Sequence, residues 1–118
     1  MAKKQDTYYG EVDITQIIGD KFSEAFIYEV GGVNFSFTDY TLSGIIFDKQ
    51  GNTVTTLTMT KGTTTVTDDT IFATAVPSAL PTVAGVYGYN IRSTETADSN
   101  NVTTIVRGKI SFIDETNF

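Results

Sequence analysis

Apolar and polar residues alternate with a period of two through most of this chain, the pattern of strands with one buried face. In the run Gly85 to Thr94, Tyr87, Tyr89 and Ile91 share one side, while Val86, Gly88, Asn90 and Arg92 share the other. Leu57 and Met59 oppose Thr56, Thr58 and Thr60, and Ile110 and Phe112 fall together near the end. The apolar set of each run is expected to face the core. Runs bounded by turn residues predict strands over Val12 to Ile18, Lys21 to Val30, Thr41 to Lys49, Thr53 to Thr60, Thr63 to Asp68, Ile71 to Val76, Gly85 to Thr94 and Val102 to Ile113. The expected fold is all-β, an antiparallel β-sandwich of seven to eight strands.

The connections carry their own signals. Asp48-Lys49-Gln50-Gly51-Asn52 combines turn-forming polar residues with a glycine able to take positive φ, which predicts a hairpin, and Lys61-Gly62 predicts another. Gly31-Gly32 ends the second run. Pro77 and Pro81 bracket Ser78-Ala79-Leu80. Proline lacks the ladder donor, so this segment is read as a crossover, with Leu80 as a plug beneath it. Glu95 to Asn101 is a polar stretch between the last two runs, with Asp98 to Asn101 read as a solvated hairpin tip. Gly108 interrupts the final run and is read as a bulge or bend. Phe35 and Phe37 alternate after the glycine pair and are read as core filling.

Composition narrows the chemistry. The 118 residues fit one domain, divided here into an N-terminal arm over 1–10 and a β-domain over 11–118. With no cysteine and no histidine, the chain offers no disulfide, thiolate nucleophile, histidine base or ordinary zinc site. Its core rests on packing, for which eight Phe and six Tyr are available. The 14 carboxylates single out no acid/base pair, so no catalytic residue, metal ligand or cofactor is assigned. Asp98-Ser99-Asn100-Asn101 is oxygen-rich but lacks the glycine and the terminal glutamate of an EF-hand loop. The net charge of −6 opposes nucleic-acid binding. Arg92, Arg107 and Lys109 fall on the last two runs, where they form either a small cluster or a solvated sheet face. No run is apolar enough to be read as a membrane span, and Met1 argues against a signal peptide. The arm carries Lys3, Lys4, Tyr8 and Tyr9, which are the expected protein-binding residues, suited to ordering on a partner surface.

Gly85-x-Tyr87-x-Tyr89 resembles the strand signature of immunoglobulin-like domains in which a corner tyrosine precedes an inward residue, Tyr89 standing where antibody domains place cysteine. Gly19-Asp20-Lys21-Phe22, Phe37 to Gly44, Ala84 to Arg92 and Val106 to Phe112, in this order, resemble the immunoglobulin-like modules of bacteriophage virion proteins, the baseplate upper-protein N-terminal domain above all. The resemblance runs from about Ile18 to Ile113. In that family the module usually precedes a longer fibre or receptor-binding region, so this chain looks like a free-standing copy, similar to capsid auxiliary or decoration proteins. The resemblance implies an immunoglobulin-like sandwich, a non-enzymatic role in the virion, and other capsid or tail subunits as partners. A tail, baseplate or fibre module and a carbohydrate-binding, adhesive sandwich are the alternatives.

Overall fold

A computed structural model describes residues 10–30, 33–61 and 70–114. The fold is all-β: ten strand segments and a single 3-10 turn at Pro77–Ala79, with no α-helix among the described residues. The strands are β1 (Gly10–Glu11), β2 (Ile14–Ile17), β3 (Phe22–Ile27), β4 (Glu29–Val30), β5 (Val33–Asn34), β6 (Tyr40–Phe47), β7 (Thr53–Lys61), β8 (Thr70–Ala75), β9 (Gly85–Glu95) and β10 (Asp98–Ile113). One hydrogen-bonded path runs β1-β10-β9-β6-β7-β8-β3, with β2 also on β10, and β4 and β5 form a separate hairpin.

The sheet is curled, and β7 is where it turns. Its first half pairs with β6 through Gly44↔Leu57 and its second half with β8 through Thr58↔Thr74. This carries the chain from one side of the core to the other. The expected all-β class holds, but where an antiparallel sandwich was expected the strands form a curled, mixed sheet. β1 and β2 run parallel to β10, Gly10 beside Val106 and Ile14 beside Ile110. Both stretches keep one offset to β10, so a single chain segment lines its outer edge with only a local interruption at Val12 and Asp13.

Burial follows the predicted faces. Tyr89, Ile91, Ile110 and Phe112 are buried, Tyr87 and Met59 pack at the margin, and Leu57 and Leu80 are inside. Each such apolar side chain, moved out of water, contributes about 1.5–3 kcal/mol. Phe37 is fully buried and Phe35 packs beside it, as read. Their rings meet edge to face at 5.0 Å, and Tyr40 closes on Phe35 at 5.2 Å. Lys61 seals this end, its Nζ donating to the Phe37 and Tyr40 carbonyls at 2.8 and 2.7 Å.

The turn at 48–52 forms as predicted. Gly51 has φ of 87°, and the Asp48 carboxylate accepts from the Gln50 and Asn52 amides at 2.9 Å each. The crossover also holds, with Thr55 Oγ1 donating to the Ala79 carbonyl at 2.7 Å. Other expectations change. The run from Lys21 to Val30 breaks at Tyr28. Asp98 to Asn101 are exposed at the hairpin end as read, but the reversal itself is Thr96 and Ala97, and Asp98 to Asn101 open β10 through an irregularity between Asp98 and Val102. The expected strand over Thr63 to Asp68 lies outside the described residues.

Gly108 is not a bulge. It pairs regularly with Tyr89, and the nearer of the two irregularities in this ladder lies between Thr104 and Val106, where Ile105 is the extra residue. A side chain at Gly108 would be driven into the Val12 backbone, 2.8 Å from its carbonyl carbon. The glycine is there for close approach.

Candidate binding surface

Residues opposite one another in register point to the same side of a sheet. On the outer face of β10, β9 and β6 this rule builds three rows: Thr104, Arg92 and Ser43; Arg107, Asn90 and Ile45; Lys109, Gly88 and Phe47. The extra residue Ile105 sets this pattern. Strict alternation from an outward Thr104 would turn Arg107 and Lys109 inward, whereas the bulge buries both Ile105 and Val106 and returns both cations to the surface. Arg107 and Lys109 then stand about 7 Å apart along the strand, with Arg92 diagonal to Arg107 at about 7–8 Å.

The third row has an aromatic floor. Gly88 lacks a side chain, and the Phe47 ring occupies the space where one would stand. Most of the residues in these rows line an open depression of about 940 Å³, whose lining also takes in Lys49 and Asp48 from the 48–52 turn and Glu11 and Asp13 from the β10 edge. Four of the chain's eight cations line it, against three of its fourteen carboxylates. Two of those carboxylates are also bound to backbone: Asp48 to its turn, and Asp13, whose Oδ1 accepts from the Lys109 amide at 3.0 Å. Arg107 Nε lies 4.0 Å from Glu11 Oε2, with both side chains more than half exposed, a pairing that contributes little.

Beneath this face, Tyr89 anchors the edge. Its hydroxyl donates to the Val12 carbonyl at 2.6 Å, reaching across Gly108 to do so. Burial, with the Asp13 and Glu24 carboxylates nearby, holds the phenol well above its ordinary range. Because the Val12 carbonyl is turned to Tyr89, the side chain of Asp13 serves the Lys109 amide. Tyr87 donates to the Val83 carbonyl at 3.2 Å, four residues upstream, as the corner reading expects. Tyr87→Phe should keep the ring against Phe112 and lose this bond, costing about 1 kcal/mol in chemical denaturation.

A second feature is the free edge of β3. All six of its residues pair with β8 on one side, and no strand among the described residues pairs with the other. The edge carries neither proline, lysine nor bulge, and its one charged residue is Glu24, half-buried on the side of Phe22 and Phe26. Ile27 is 56% exposed on it, and Phe72, opposite Ala25, is 38% exposed.

The expected protein-binding residues Lys3, Lys4, Tyr8 and Tyr9 lie outside the described residues. Arg92, Arg107 and Lys109, weighed from the sequence as a cluster, are brought to one face. Phe47, Lys49 and Asn90 were not singled out. Their only trace is the outward parity of Asn90 and Gly88, since the pairing of β6 with β9 is not visible in either strand alone. Among the described residues no three Asp or Glu side chains gather as a metal site.

No known protein family and no curated protein matches this chain. Among solved structures, it is similar to an endo-fucoidan hydrolase of glycoside hydrolase family 107, at 15% identity and a TM-score of 0.47, over 88% of this chain and 13% of that one. It is also similar to the SrpA adhesin of Streptococcus sanguinis, at 16% identity and a TM-score of 0.48, over 88% of this chain and 56% of the adhesin. The chain thus spans less than two thirds of either protein. Likenesses this distant carry no inference about its activity.

Proposed function

We propose that this chain is a non-enzymatic, immunoglobulin-like module that acts as a structural subunit of a bacteriophage particle, seated on other virion proteins as a capsid auxiliary or decoration protein. The immunoglobulin-like reading is supported by the order β10-β9-β6, the passage of β7 to the β8 and β3 side, and the corner hydrogen bond of Tyr87. The virion role rests on the order of sequence motifs from Gly19 to Phe112. The observation that carries an assembly role is the open edge of β3, on which no strand among the described residues pairs. A partner strand laid on it gains main-chain hydrogen bonds and covers Ile27. The arm residues Lys3, Lys4, Tyr8 and Tyr9 are proposed as a second contact.

The test is incorporation into purified particles. The double variant Ala25→Lys/Ile27→Lys places charges on exposed positions of this edge, so its stability should stay within about 0.5 kcal/mol of the parent. It should fold and fail to incorporate. Normal incorporation of the folded variant would remove β3 as the seat. If deletion of 1–9 also left incorporation intact, both proposed contacts would fall and the interface would lie on the sheet faces; failure of the parent chain itself to incorporate would overturn the assembly reading.

A further inference from the structure

The geometry points to a second binding site, on the outer face of β6, β9 and β10, for an acidic polysaccharide. It goes beyond the assembly reading and uses a different surface from the β3 edge.

Charge is the first observation. On a chain of net charge −6, half of the lysines and arginines line one depression, and Arg92, Arg107 and Lys109 follow each other across it at spacings of about 7–8 Å. An arginine presents a planar fork of donors that matches a carboxylate, so a row of such groups suits a polymer with carboxylates at intervals. The rest of the lining decides which polymer. Glu11, Asp13 and Asp48 at its margin accept hydrogen bonds from hydroxyls and repel an unbroken line of phosphates. That favours a hydroxyl-rich chain with spaced acid groups over a nucleic acid. Asn90, Thr104 and Ser43 add neutral donors and acceptors in the same rows. Phe47, laid over Gly88 in the row of Lys109, offers an apolar surface to the C–H face of a sugar ring.

The experiment measures binding of the full chain to polygalacturonate at low salt, with unmodified dextran, dextran sulfate and a single-stranded DNA oligonucleotide as comparison probes. Polygalacturonate should bind, and dextran should not. Raising the salt to 0.5 M should weaken binding by about tenfold, because the contacts are exposed and screened. Arg92→Glu/Lys109→Glu, two exposed positions that leave the core untouched, should lower affinity at least tenfold with an unchanged melting temperature. Ala25→Lys/Ile27→Lys should bind polygalacturonate as the parent does, so loss of particle assembly and loss of this site are read separately. Absence of polygalacturonate binding overturns the proposal. So does binding that the Arg92 and Lys109 reversals leave intact, retention by dextran sulfate alone, which marks simple ion exchange, or DNA binding of equal strength.

Discussion

Tyr89→Ala should cost about 3–5 kcal/mol, a large share of the 5–15 kcal/mol that holds a domain of ordinary stability. Tyr89 is 1% exposed, stacks on Phe26 at 6.4 Å across the core, and ties the Val12 carbonyl to the sheet. Truncation opens a cavity and leaves that carbonyl without its hydroxyl partner. Urea denaturation followed by circular dichroism measures the loss; a cost below about 1 kcal/mol would show that the ring is not a central core element. Tyr89→Phe separates the two parts. It keeps the ring and removes the hydrogen bond, for an expected 1–3 kcal/mol. The same variant tests the phenol's raised pKa. Between the ordinary tyrosine pKa of 10.0 and the higher folded value, the unfolded chain gives up a proton that the folded chain keeps. Stability is therefore full below about pH 10 and falls as pH rises above it. Tyr89→Phe should show a shallower alkaline loss than the parent.

Gly108→Ala is expected to be nearly as damaging, although it adds one methyl group. The backbone of Gly108 is an ordinary strand residue paired with Tyr89, so conformation is not the obstacle. Space is. The new Cβ would press on the Val12 carbonyl and come within 3.2 Å of Asp13 Oδ1. Relief requires moving the segment between β1 and β2, which breaks the Tyr89 and Lys109 hydrogen bonds together. The expected cost is about 3 kcal/mol, at the upper end for overpacking. Hydrogen exchange should locate it: the Val12 and Lys109 amides should lose protection, while β6 and β7, on the far side of β9, keep theirs. Since Tyr89→Phe and Gly108→Ala act on one carbonyl, their effects should fall short of adding. Full additivity would mean that the two residues do not share the junction.

Several structural features were legible from short stretches of sequence. The inward set Tyr87, Tyr89 and Ile91, the turn at Gly51 and the plug Leu80 each depend on residues within a few positions, through alternation, positive φ or the missing proline donor. The bulge left a trace as well. Ile105 and Val106 are consecutive apolar residues in a strand that otherwise alternates, while the glycine three positions later drew attention to the wrong place.

What the chain determined by itself is therefore its strands, most of their faces and its tight turns, because these follow from the sterics of neighbouring residues. Tertiary structure decided which edges meet. A period of two is the same in parallel and antiparallel pairs, so nothing local told β1 and β2 to run parallel along β10. The contact of Tyr89 with Val12 spans 77 residues, and the need for glycine at position 108 exists only once Val12 lies against it. The cationic face has the same origin: Arg92, Arg107, Lys109 and Phe47 acquire neighbours through register and a single extra residue, both fixed when the strands pair.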